Sequence, residues 1–252
     1  QLEQEHGYSD QLIIALISDT HGVWDPAVAG HFKGAHVALH AGDVSHHDPA
    51  QAATLLAALR QAVPHVVAVA GNTDSGSSSS SGPTGKRARR RAPAAAAGQR
   101  EAAAANADED TCALQAISGQ PDSPTRSILG QGCASAHQLP ASALVRVAGW
   151  RILVTHIAGV PPKVAPEASD LIAQHQPHVV VCGHSHIPHH SIHQGVTYVN
   201  PGSAGPARFN LGRSVALLKL PPYTPGATPK VETIPLARKA PPRLQPEQCR
   251  QL

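Results

Sequence analysis

Five short segments of the chain carry oxygen or imidazole donors directly after an apolar run. They are Asp19-Thr20-His21, Gly42-Asp43, Gly71-Asn72, Thr155-His156 and Gly183-His184-Ser185-His186. Together they offer two aspartates, one asparagine and four histidines. Carboxylate, amide and imidazole donors of this kind suit Mn, Fe or Zn, not copper or an iron–sulfur cluster. Seven donors exceed the four that one tetrahedral zinc takes. They match two cations that share a carboxylate. Asp-x-His and His-x-His each deliver two donors from one turn, because residues i and i+2 face the same way in extended backbone. Asn72 is informative for charge: a neutral amide among the donors keeps the site from accumulating negative charge, which favours an anionic phosphate ester.

The elements that must position these donors are legible as apolar runs closed by turn residues. Leu12–Ile17, Val37–His40 and Val66–Ala70 read as strands ending at Ser18-Asp19, Gly42-Asp43 and Gly71-Asn72. Continuous apolar runs suit strands covered on both faces. Asp48 to Ala62 reads as a helix, with Asp48 as N-cap, Pro49 in the first turn and Ala52, Leu55, Leu56 and Leu59 at helical spacing. Strand–helix–strand alternation predicts parallel pairing. Further on, Ala143–Val147 and Arg151–Thr155 are predicted strands around a tight Ala148-Gly149-Trp150 turn, and Pro166–Gln176 a short helix. Val179–Cys182 is a strand closed by Gly183-His184, Ile187–His193 and Val196–Val199 form a hairpin over Gln194-Gly195, and Ser214–Leu220 is a last strand. Ligands of open α/β sheets bind beyond the carboxyl ends of strands, so five such ends are expected to converge.

The organisation is that of one interrupted domain. Residues 1–10 read as an N-terminal extension. Residues 11–74 and 138–220 form the folded unit, about one domain's worth of chain. Between them, 75–137 holds a serine run (Ser77–Ser81), the basic run Lys86–Arg91 and alanine blocks. That composition cannot bury a core, so a long disordered insertion is expected. The basic run reads as a solvated charge cluster. Residues 221–252 are Pro-rich and read as an irregular tail.

Composition narrows the function classes. The chain has 252 residues and a formal net charge of +3, too small an excess to mark a nucleic-acid binder. No apolar run reaches the roughly 18 residues of a membrane span. Four cysteines without a C-x-x-C pair exclude a disulfide scaffold and a zinc ribbon. Unpaired cysteines point to a reducing, cytoplasmic setting. An organelle is the alternative if a targeting segment precedes Gln1, since the chain has no Met and its natural start is expected upstream. Cys182 reads as an inert buried thiol and His40 as either a packed strand-end residue or a support for a donor turn. Oligomeric state is not readable.

Taken in order, Asp19-x-His21, Gly42-Asp43, Gly71-Asn72-x-Asp74, His156 and Gly183-His184-x-His186 resemble the calcineurin-like metallophosphoesterase superfamily. The flanks His40-Ala41-Gly42-Asp43, Cys182-Gly183-His184-Ser185-His186 and Asn200-Pro201-Gly202-Ser203 followed by Arg208 resemble its small bacterial and archaeal phosphodiesterases. The resemblance implies an α/β two-sheet sandwich flanked by helices. It implies a metal-dependent phosphodiesterase that uses two divalent metal ions, Mn2+ foremost, with Fe, Zn or Ni possible. One metal would be held by Asp19, His21, Asp43 and His186, the other by Asp43, Asn72, His156 and His184, with Asp43 bridging. Metals about 3.5–4 Å apart acidify a shared water, whose hydroxide attacks phosphorus without a protein nucleophile. Asp43 and Asn72 act through the metals, and Arg208 and Asn72 would contact a small phosphate-ester substrate. Many superfamily members have a His after the ligand Asn; here Thr73 stands there, and it cannot serve as general acid. His137 and His189 are the substitutes to consider. The alternative is a metal-free protein-interaction scaffold on the same fold, as in the retromer scaffold subunit.

Overall fold

The computed structural model describes residues 11–74, 113–117, 139–208 and 210–244. The N-terminal extension, the Lys86–Arg91 run and His137 lie outside these residues.

The first sheet is built from β1 (Leu12–Ile17), β2 (Val37–His40) and β3 (His65–Ala68), with α1 (Ala27–His31) and α2 (Pro49–Ala62) in the connections. β1 pairs parallel with β2, and β2 parallel with β3, as the strand–helix–strand alternation predicts. α2 begins where the cap signal lies: the Asp48 carboxylate accepts from the Ala50 and Gln51 amides at 3.0 and 3.1 Å.

The second half of the chain contributes β5 (Ser142–Val147) and β6 (Trp150–Thr155), then the ribbon β7 (Gly159–Val160) and β8 (Lys163–Val164). After these come α3 (Pro166–His175), β9 (Val179–Val181), β10 (His189–His193), β11 (Val196–Asn200) and β12 (Arg213–Leu220). β12 crosses back to pair antiparallel with β1. Two departures from expectation stand out. Ala113–Ile117, inside the segment read as disordered, forms β4, antiparallel to β5. Lys230–Leu236, inside the segment read as an irregular tail, forms β13, antiparallel to Arg213–Lys219 of β12. Pro235 hid this strand. A proline removes a ladder donor, and it is tolerated here because β13 is the edge of its sheet.

The result is two mixed sheets, ordered β13-β12-β1-β2-β3 and β10-β11-β9-β6-β5-β4. They pack face to face with helices outside, as the resemblance implies. The period of two along β1 shows why its run is uninterrupted. Ile14 and Leu16 face Ile152, Val154, Val179 and Val181 of the opposite sheet. Ala15 and Ile17 face Val28 and Phe32 of the α1 region and Leu59 of α2. A smaller cluster joins Leu153, Val180 and Tyr198 to Ala168 of α3. β1, β2 and β3 in one sheet and β6 and β9 in the other therefore present their carboxyl ends at one rim.

Candidate metal centre

All five donor segments follow those five strand ends, and the side chains meet. Asp19, His21, Asp43, His156 and His186 are buried, while Asn72 and His184 form the exposed lip. His186 Nε2 lies 3.3 Å from Asp19 Oδ1 and 3.4 Å from His21 Nε2. Asp43 Oδ2 lies between the two groups, 3.8 Å from His21 Nε2 and 3.5 Å from His156 Nε2. Asn72 Oδ1 completes the far side, 3.0 Å from His156 Nε2 and 3.1 Å from His184 Nδ1. Asp19 with His21 and His186, and Asp19 with Asp43 and His156, each bring one donor atom per residue within 4.8 Å of one another.

Local backbone explains the convergence, and it differs from the extended i, i+2 arrangement expected from the spacing. Asp19, His21, Asp43, His184 and His186 all have positive φ, at 53, 48, 53, 69 and 59°. Left-handed backbone is uncommon outside glycine, is most tolerated by Asp, Asn and His, and costs on the order of 1–3 kcal/mol per residue. Strain at five of the seven donors persists because the surroundings fix them. Asp19 and His21 amides donate to the Gly42 and Asp43 carbonyls at 3.0 and 2.9 Å. Behind them, the Ser203 hydroxyl and the Gly205 amide donate to the Asp19 carbonyl at 2.9 and 3.1 Å. Gly71 is required because a side chain there would collide with the Asp43 backbone and carboxylate. Gly42, at φ +90°, would bring a Cβ within 2.7 Å of His156 Nδ1.

Surrounding residues orient the donors. The Asp74 carboxylate accepts from the Gly71, Val44 and Ser45 amides at 2.9, 3.0 and 2.8 Å, tying the Asp43 turn to the Asn72 turn. His40 is fully buried and its Nε2 contacts Thr20 Oγ1 at 2.9 Å, so it supports the turn between Asp19 and His21. Asn200 Nδ2 donates to the Gly183 carbonyl at 2.7 Å and to Ser185 Oγ at 3.1 Å, shaping the His184–His186 turn. The Thr73 hydroxyl donates to the Ser45 carbonyl at 2.7 Å, a structural use that leaves it no acid role.

Electrostatics sorts the protonation states. Burial opposes ionisation of Asp19 and Asp43, but the hydrogen bonds to Asp19 from His186 and Ser18, and to Asp43 from His156 and the Thr73 amide, outweigh it. Both carboxyls are held below their ordinary value. Burial, reinforced by the Arg208 charge, lowers His21 to about 4, and burial lowers His40 to about 4. Burial also pushes the Cys182 thiol up to about 12, consistent with an inert packing role.

The donor set fits a cation. His156 Nδ1 lies 2.8 Å from the Ala41 carbonyl and must donate to it. Without a cation, Nε2 must carry a second proton to face Asp43 Oδ2 and Asn72 Oδ1; burial opposes that charge, but the hydrogen bond to Asp43 outweighs it and holds His156 above its ordinary value. Arg208 Nη2 donates to His21 Nε2 at 3.0 Å, which assigns a lone pair to that nitrogen. Converging acceptors need positive charge among them; a proton on His156 and the Arg208 guanidinium meet that need here, and a metal ion would take their place on the two Nε2 lone pairs. Among the described residues, the sequence reading passed over His46, whose ring stands 6.3 Å from that of His21, and the buried Arg213–Asp25 pair. Neither carries a motif; only the fold brings them to the rim.

Comparison with known proteins agrees with this architecture. A model of the calcineurin-like phosphoesterase superfamily domain matches residues 12–221. A search of curated protein sequences gave no match. Among solved structures, vacuolar protein sorting 29 from Cryptosporidium parvum is 15% identical, covering 90% of this chain and 98% of that one, with a TM-score of 0.50. A predicted phosphoesterase from Streptococcus pneumoniae is 14% identical over 89% of this chain and 98% of its own, TM-score 0.46. An archaeal phosphodiesterase is 13% identical over 88% and 100%, TM-score 0.47. Identities this low speak to fold alone. With the superfamily model spanning residues 12–221, and so every donor turn, the chain belongs to the calcineurin-like phosphoesterase superfamily.

Proposed function

We propose that this chain is a phosphodiesterase that depends on two divalent metal ions, Mn2+ foremost. The observation that carries the reading is the convergence of two carboxylates, one amide and four imidazoles at one rim, with Asp43 Oδ2 between the His21 and His156 sides. Asp19, His21, Asp43 and His186 would hold one ion and Asp43, Asn72, His156 and His184 the other. Such a pair supplies a hydroxide near neutral pH and offsets charge on the phosphoryl oxygens. The chain's own part is to bind and orient the ester. Arg208, whose Nη2 lies 3.0 Å from His21 Nε2, reaches the rim from the loop before β12 and would take a phosphoryl oxygen. Asn72, exposed at the lip, would approach the same group from the opposite side. The low pKa of Asp43 keeps its carboxylate ionised, and its Oδ1, fixed by the Thr73 amide at 2.9 Å, leaves Oδ2 to be shared.

The test is hydrolysis of bis(4-nitrophenyl) phosphate with Mn2+ and then with excess chelator, alongside elemental analysis. Turnover with Mn2+, its loss on chelation and about two ions per chain are expected. Failure to bind metal together with failure to turn over the ester under any divalent ion would overturn the reading in favour of an interaction scaffold.

A further inference from the structure

A pocket of about 210 Å³ opens beside the donor cluster, between the turn after β6, the ribbon β7–β8 and the start of β10. His184 belongs to both. Its Nδ1 is 3.1 Å from Asn72 Oδ1, and the same residue lines the pocket. The remaining surface is mostly carbon, from Ile157, Val160, Ile187, Cys182 and Tyr198. No Lys, Arg, Asp or Glu lines it. Ser185, His189 and Asn200 also line it, and each is already engaged: Ser185 Oγ accepts from the Ile187 amide, and His189 Nε2 lies 3.1 Å from Ser191 Oγ. The Asn200 amide nitrogen is given to Gly183 and Ser185, and its oxygen accepts from the Gly202 amide at 2.9 Å. Ile157, Val160 and Ile187 are 45, 49 and 50% exposed, an apolar rim with nothing over it among the described residues.

We infer that this pocket receives a neutral, apolar, aryl-sized organic arm of the phosphate ester. The inference rests on the phosphodiesterase reading above and adds the substrate class. A sugar or a second phosphate would bring polar groups against a wall that has no Lys, Arg, Asp or Glu and whose Ser185, His189 and Asn200 are already partnered, so most would be buried unpaired. A cavity of about 150 Å³ with apolar walls holds benzene, so the volume here admits a substituted ring. Because His184 is common to the pocket and the donor cluster, a group seated here is joined directly to a phosphorus at the donors. Hydrolysis then adds water across the P–O bond: the hydroxide oxygen stays on phosphorus and the proton leaves with the alcohol or phenol.

The experiment compares 4-nitrophenyl phenyl phosphate with 4-nitrophenyl methyl phosphate, which share a leaving group. In the Mn2+-loaded protein, kcat/KM for the phenyl ester should exceed that for the methyl ester by about tenfold or more. Ile187→Asp and Val160→Asp should each bring the ratio toward unity. Ile192→Asp, at a more exposed apolar site outside the pocket, should leave it unchanged. In parallel, 19F NMR of 4-fluoroanisole with the metal-free protein should show line broadening that Ile187→Asp abolishes and Ile192→Asp retains. Hydrolysis of both esters with no phenyl preference and no probe binding overturns the pocket while leaving the phosphodiesterase reading intact. Probe binding lost in Ile187→Asp, with neither ester hydrolysed, upholds the pocket and overturns the catalytic reading.

Discussion

Replacing Arg213 by methionine tests whether the donor turns are held by a buried ionic brace. The guanidinium is 0% exposed and the Asp25 side chain 11%. It donates to Asp25 Oδ2 at 3.0 Å and to the Gly205, Ala237 and Ala204 carbonyls, each at 2.7 Å. Methionine keeps much of the stem volume and loses all four bonds. Removing one partner of a buried pair costs about 3–5 kcal/mol, because the charge left behind is unpaired. Against a total stability of about 5–15 kcal/mol, the variant should still fold. Its melting temperature should fall by about 6–20 °C, at roughly 2–4 °C per kcal/mol for a domain of this size. The assays are thermal and urea unfolding at pH 7, each followed by circular dichroism. Asp25→Asn on the Arg213→Met background removes the stranded charge and should recover part of the loss. The consequence extends to the donors. Gly205 and Ala204 supply the amides that hold the Asp19 and Ser18 carbonyls at 3.1 and 3.0 Å, so Mn2+ affinity should weaken in Arg213→Met as well. A loss below about 1 kcal/mol, or a double variant no more stable than the single one, would refute this reasoning.

Further expectations concern the donors themselves. Asp43→Asn should abolish ester hydrolysis and lower metal content measured by elemental analysis; retention of both removes Asp43 from the bridging position. Gly71→Ala should reduce Mn2+ affinity by about 10–100-fold, read by calorimetric titration, because the new methyl displaces the Asp43 carboxylate; unchanged affinity would mean the turn adapts freely. For pH, His40 is depressed by burial from 6.5 to about 4 in the fold. The unfolded chain therefore binds the extra proton between those values, and the contribution of His40 to metal-free stability should be full above pH 6.5 and decline as pH falls toward 4. His40→Gln should flatten that slope by up to one proton, and an unchanged slope counts against the assignment. Finally, with Thr73 committed to the Ser45 carbonyl, turnover should favour diesters with good leaving groups over alkyl monoesters; equal rates on an alkyl monoester would require an acid that these residues do not provide.

Much of the site was readable before any coordinates, for a physical reason. A strand buried on both faces appears as an uninterrupted apolar run, and its carboxyl end is marked by the first polar residues after it. Asp19, Asp43, Asn72, His156 and His184 each stand within four residues of such an end, so residue type and chain order were enough to collect them. The Asp48 cap and the Gln194-Gly195 hairpin were equally local. Three-dimensional packing decided the rest. The left-handed backbone at Asp19, His21, Asp43, His184 and His186 is imposed by hydrogen bonds from other strands' loops, and no neighbour in sequence announces it. β13 escaped notice because its pairing depends on β12 accepting an edge strand that contains Pro235. Arg213 meets Asp25 across 188 positions, Arg208 meets His21 across 187, and the pocket beside His184 is assembled from three separate segments of chain. Contacts between residues so far apart leave no periodicity in one chain. They exist only once two sheets have stacked and brought their strand ends to a common rim.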